Sequence, residues 1–292
     1  MKKIITSLSA FFMAVTMVSI SYEEVFAYDI YDVNEEYVVS EAYGTYYQFE
    51  EMSHQALNEI SLIPVTNNNG FTFFNVRNEA EFRWAIDNKL DHGVDIIQLH
   101  DSITIYNPVV IDNITIVIWG NSNSGLNIYA PNGGFVVEAG GNLSLVSVNL
   151  QGGNEIGPIA SNGTGVVVRN GALALRTNTI IEGYTNSGVR VYNGSLLIGN
   201  ENVNYNNATI QNNSSAEGGG IFVESGLVTV RGGNIINNTA SQSGGGIFAS
   251  NSNVTFYSGT VSGNIATTNG NGISNQGGII TIFGGSILDA IQ

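Results

Sequence analysis

Apolar and polar positions follow two different periods along the chain, one within its first third and another from there to the end. Asn78-Glu79-Ala80-Glu81 sets a capping asparagine three residues ahead of a glutamate. Phe82, Ala85, Ile86 and Leu90 then fall on one face at i, i+3, i+4 and i+8. This spacing predicts a single capping helix over about residues 78–90. Beyond Gly93 the pattern shortens to apolar runs of strand length: Ile96-Ile97-Gln98-Leu99, Ile103-Thr104-Ile105, Val109-Val110-Ile111, and 114–119. One amphipathic helix ahead of many short strands suits the first turn of a solenoid. There it covers core side chains and strand edges that would otherwise face water.

The later strands repeat. Residues 218–243 read GGGIFVESGLVTVRGGNIINNTASQS and residues 244–269 read GGGIFASNSNVTFYSGTVSGNIATTN, a period of 26; Gly270 begins the unit again. Looser copies start at Gly134, Gly165 and Gly188, with spacings of 31, 23 and 32 that imply loops of unequal length between equal turns. Aligned on Gly134, Gly165, Gly188, Gly220, Gly246 and Gly272, the next position is Phe135, Val166, Val189, Ile221, Ile247 and Ile273. Two residues on stand Val137, Val168, Val191, Val223 and Ala249, and between them Val136, Val167, Arg190, Phe222, Phe248 and Ser274. That is period two, with one face inward. A second strand gives the columns Val228/Val254/Ile280 and Val230/Phe256/Ile282, and a third gives Ile235/Val261/Ile287. Gly233, Gly259 and Gly285 recur where a turn can demand positive φ, and Asn212, Asn238 and Asn264 sit 26 apart as a candidate ladder. The predicted fold is all-β: a right-handed, single-stranded parallel β-helix with three short strands per rung and an N-terminal capping helix. It spans 76–292 and has its best repeats at 218–292.

The first residues predict a secreted chain. Lys2 and Lys3 precede an uncharged apolar run from Ile4 to Ile20, and Val25-Phe26-Ala27 offers a cleavage site, so 1–27 reads as a signal peptide. No later stretch is apolar enough to span a membrane. The chain has no cysteine, and its net charge of −15 leaves too little Lys and Arg for nucleic acid. Residues 28–75 read as an acidic, tyrosine-rich arm, because eight carboxylates precede residue 61 there without a single Lys or Arg.

The segment from about Val76 to the end resembles the pectate lyase-like adhesive domains of Gram-positive surface proteins. The resemblance is carried by the helix at Asn78 to Asn88, by Asp95-Ile96-Ile97-Gln98-Leu99 and Ser102-Ile103-Thr104-Ile105, and by Ile114-Thr115-Ile116-Val117-Ile118-Trp119-Gly120. The GGGIF and IINN units are similar to repeats of bacterial surface and autotransporter proteins. What the resemblance implies is a secreted or cell-surface β-helix with an adhesive role, its partner a polysaccharide or a host-surface ligand.

β-Helices also carry polysaccharide lyases and glycoside hydrolases, which need convergent carboxylates, Ca²⁺ or a Lys/Arg base. No rung shows two neighbouring carboxylates, and no catalytic residue, metal site or cofactor is assigned. Asp87, Asp91 and Asp95 lie at helical spacing and read as a solvated face. Glu138 and Arg169 occupy one outer position in successive rungs and read as a surface ion pair, with Arg190 one rung on. Phe222 and Phe248 should stack outward, either as an exposed sugar-stacking platform or under a neighbouring loop. These five residues are the candidate ligand contacts. The last rung, ending at Ile291-Gln292, shows no cap in the sequence, and a third reading makes the chain an assembly module that associates end to end through it.

Overall fold

The computed structural model describes residues 14–17, 28–31, 65–66, 71–88, 94–120, 125–153, 163–199 and 207–292. The chain divides into two compact units, Met1–Ile63 and Pro64–Gln292. In the first, Ala14–Met17 pairs antiparallel with Tyr28–Tyr31. The rest of the expected leader, its cleavage site and most of the acidic arm lie outside the described residues.

The second unit is a parallel β-solenoid of about seven turns. Sheet I stacks seven strands, from Val109–Ile111 through Phe135–Val137 to Ile273–Gln276. Sheet II runs from Phe71–Val76 and Val94–Leu99 to Ile279–Ile282, and sheet III from Ile103–Thr104 to Ser286–Ile287. Each complete turn visits I, II and III in that order. Val65–Thr66 pairs antiparallel with Phe71–Val76 and so covers the N-terminal edge of sheet II. Solenoid pairing therefore begins ahead of Val76.

The glycine alignment gives the true register. Phe135 stands opposite Val166, which continues to Val189, Ile221, Ile247 and Ile273. Every member of that column is at most 1% exposed, and so are its sheet II counterparts Leu143, Leu173, Leu196, Val228 and Val254. These columns meet those of sheet III in one apolar cluster along the solenoid. Each such side chain contributes roughly 1.5–3 kcal/mol when fully buried.

The expected helix forms over Glu79–Asp87. Asn78 Oδ1 accepts from the Glu81 N–H at 2.9 Å, and Glu81 Oε2 accepts from the Arg77 N–H, one residue ahead of the cap. Phe82, Ala85 and Ile86 are buried, and Phe82 meets Phe135 edge-on at 6.3 Å, which seals the first turns; Leu90 lies outside the described residues. The solvated-face reading holds for Asp87, which is exposed, and fails for Asp95, while Asp91 lies outside the described residues. The helix ends at Asp87, and Asp95 belongs to Val94–Leu99, where it is 4% exposed.

The asparagine ladder is real but shifted. Asn212 is exposed with φ 53°, and the buried position is Asn213, followed by Asn238 and Asn264. Asn238 Oδ1 accepts from the Asn213 N–H at 3.0 Å and from its Nδ2 at 3.1 Å, and Asn264 Oδ1 does the same for Asn238. Each Nδ2 also donates to an isoleucine carbonyl one rung back: Ile181, Ile210 and Ile235. Between asparagines the backbone and Nδ2 donors all point toward the C-terminal end, so the last member needs only to accept. Asp289 does so, taking the Asn264 N–H at 2.8 Å and its Nδ2 at 2.9 Å.

A constant period of 26 misplaces the first step because a bulge intervenes. Ser214–Glu217, Thr239–Ser243 and Ile265–Ala266 form a short sheet IV; Ser214 stands opposite Thr239, but Glu217 stands opposite Ser243. The extra residue in the second strand makes a 25-residue step into a 26-residue one.

At the upstream end, the Tyr184 N–H donates to Asn213 Oδ1 at 3.1 Å. The Tyr184 ring lies in the core, its hydroxyl has no hydrogen-bond partner, and burial holds the phenol well above its ordinary pKa. Tyr184→Phe removes an unpaired buried hydroxyl and is expected to raise stability by about 1 kcal/mol in urea unfolding. A loss of stability would reveal a partner for the hydroxyl.

Candidate functional site

Sheet I turns its alternate positions outward, and the five candidate contacts lie on that face. Glu138 and Arg169 pair there as expected, Oε1 to Nη1 at 3.1 Å, and both side chains remain solvated. Such a pair is worth about 0–1 kcal/mol and orders little around it.

Arg190, Phe222 and Phe248 form a closed stack instead of an open platform. The Phe222 and Phe248 rings lie 5.4 Å apart and nearly parallel, as the register requires. The Arg190 guanidinium sits 4.2 Å above the Phe222 ring, and Tyr192 leans on the same ring at 5.7 Å. Arg190 is itself held by Tyr192 Oη at 2.9 Å and Asn186 Oδ1 at 2.6 Å. Phe222 is 8% and Phe248 3% exposed, so of the two alternatives the exposed platform falls away. The stack reads as cation–π and aromatic packing that ties three rungs together. Glu138 and Arg169 stay outside it.

A second outward stack is open. Arg231, Tyr257 and Phe283 recur at 26-residue intervals just after the strands of sheet II. The Arg231 guanidinium lies 4.8 Å from the Tyr257 ring centre, and the Tyr257 and Phe283 rings stack at 5.2 Å. Here the aromatics are exposed: Tyr257 46% and Phe283 69%.

Beside this ridge, where sheet II turns into sheet III, runs a groove of about 290 Å³. Gly233, Gly259 and Gly285 line it together with Asn234, Thr260 and Ser286. The glycines have φ of 86°, 107° and 100°, a region open to them and strained for other residues. Space demands glycine as well: a Cβ on Gly259 would lie 2.8 Å from the Gly233 carbonyl oxygen, and one on Gly285 2.8 Å from that of Gly259. The floor is therefore bare backbone, bordered by amide and hydroxyl groups, with no carboxylate in the lining. The glycine column is legible in the sequence, but the ridge beside it was missed. Its signal is the equal spacing of Arg231, Tyr257 and Phe283.

Sheet III carries a third outer column. Glu182 accepts from Gln151 Nε2 at 3.0 Å through Oε1 and from Gln211 Nε2 at 2.8 Å through Oε2. A carboxylate held between two amides is a rung-to-rung tie. Among the described residues no three His, Asp or Glu side chains gather as a metal site. Comparison of the chain with protein-family models, with curated proteins and with solved structures found no match.

Proposed function

We propose that the chain is a noncatalytic, secreted or cell-surface β-helix that holds a repetitive polymer, a polysaccharide or a glycosylated surface, against its outer face. The observation that carries this reading is the rung-by-rung recurrence of outward side chains. Arg231, Tyr257 and Phe283 stand in one line, Thr229, Thr255 and Thr281 in another, and Asn234, Thr260 and Ser286 in a third. Strand spacing repeats these groups about every 4.8 Å. A rigid array of that kind offers a repeating ligand the same contact several times, so weak single contacts add up. The resemblance of residues 76–292 to adhesive domains and the leader-like residues 1–27 support the same class and the extracellular location.

The test is to incubate the purified protein with neutral and acidic polysaccharides, with and without Ca²⁺, and follow both retention and polymer length. Retention without shortening is the expected result. Shortening that a boiled control abolishes would overturn it in favour of a polysaccharide lyase or glycoside hydrolase. A second reading, assembly of copies through the last rung, draws on the exposure of Ile279, Ile282 and Leu288 at 63%, 47% and 73%. Sedimentation that changes with concentration would favour it, and a constant monomer would exclude it.

A further inference from the structure

We infer that the groove beside the Arg231–Tyr257–Phe283 ridge is a binding site for a neutral polysaccharide, with the glycan chain lying along the solenoid axis. The inference rests on the polymer-holding reading above and gives it a place and a ligand chemistry.

Two surfaces of different character meet there. The ridge is aromatic and open, with Tyr257 46% and Phe283 69% exposed, whereas the other aromatic stack, Phe222 on Phe248, is closed to solvent. The floor is backbone at Gly233, Gly259 and Gly285, flanked by Asn234, Thr260 and Ser286. A ligand that fits both must carry apolar C–H surface on one side and many hydroxyls on the other, which describes a sugar. Tyrosine suits such a boundary because its ring is apolar and its tip polar.

Direction follows from the rungs. The ridge and floor repeat along the axis and end laterally at sheets II and III, so a polymer gains equivalent contacts only by running across successive turns. Charge selects among polymers. The solenoid unit, residues 64–292, carries 14 Asp and Glu against seven Lys and Arg, and the single cation of the ridge, Arg231, is spread against the Tyr257 ring. A polyanion meets a net negative solenoid and no Lys or Arg in the lining of the groove. A neutral chain meets no such barrier.

The experiment is affinity electrophoresis of the full chain through gels holding a neutral glucan, a mannan, a xylan or, separately, a polyuronate. The wild type is compared with Tyr257→Ala/Phe283→Ala, Tyr257→Phe and Glu138→Gln, each checked by thermal unfolding. Retardation of the wild type by at least one neutral polymer is expected. The double variant should weaken it about tenfold or more, Tyr257→Phe should weaken it less than the double variant does, and Glu138→Gln, outside the ridge, should keep it. Equal retardation of the double variant would overturn this site and leave the polymer-holding reading standing. Retardation by the polyuronate alone would overturn the neutral ligand. No retardation of the wild type by any polymer would overturn both.

Discussion

Asn238→Leu is expected to destabilise the protein by about 4 kcal/mol, because it breaks the buried ladder at its centre. The side chain is 0% exposed, and its Oδ1 accepts both the N–H and the Nδ2 of Asn213. Leucine leaves those donors buried without that acceptor, and the Ile210 carbonyl loses the amide that now donates to it at 3.0 Å. Unpaired buried polar groups cost roughly 1–3 kcal/mol each, which sets the size of the effect. Asn212→Gly is the matched control. Asn212 is exposed in the left-handed region at φ 53°, and its column continues to Asn237 and then to Gly263, so glycine suits it. That change should move stability by less than about 1 kcal/mol. Urea unfolding of both variants checks the contrast. Similar losses at 212 and 238 would mean that the ladder does not run through Asn213, Asn238 and Asn264.

Phe82→Ala is expected to cost about 3–5 kcal/mol and to act at one end of the molecule. Phe82 is 0% exposed and closes the first turns by meeting Phe135 edge-on. A solenoid turn contacts chiefly its neighbours, so the damage should remain local at first. Hydrogen exchange should show amides of Val94–Leu99 and Thr115–Gly120 losing protection while those of Ile221–Glu224 and Ile247–Ser250 keep it. Uniform loss across all turns would instead mark the solenoid as one cooperative unit.

The columns were legible in the sequence because a strand that repeats in register repeats its inward residues too. Ile221, Ile247 and Ile273 needed only a ruler, and the looser copies at Phe135, Val166 and Val189 needed the preceding glycine as a mark. The ruler failed where the period broke. Asn212 was named in place of Asn213 because the bulge in Thr239–Ser243 adds a residue that apolar patterning does not reveal. Sheet IV was missed for the same reason: SSAE, TASQS and IA carry no shared inward face to count.

The outer face was harder to read. Alternation gives a side chain's direction and says nothing of what lies above it. Phe222 and Phe248 do point outward and do stack, yet Arg190 and Tyr192 close the stack from one end. Tyr257 and Phe283 escaped notice because they follow their strands and belong to no inward column. Only the structure sets them beside the glycine floor.

The Asn238–Asn264 step of the ladder, the Phe222–Phe248 contact, the open stack and the groove all depend on one property, that residues 26 apart in the last turns lie side by side on successive rungs. The chain has no cysteine, so paired substitutions can report this without background. Thr229→Cys/Thr255→Cys places two thiols on neighbouring rungs, about 4.8 Å apart along the stack, and Thr229→Cys/Thr281→Cys places them two rungs apart, about 9.6 Å. Treatment with a short bifunctional thiol reagent at high dilution, followed by intact mass, counts internal cross-links. Efficient cross-linking of 229 with 255 and little of 229 with 281 is the expected result. Equal cross-linking of the two pairs, or preference for the wider one, would contradict the register.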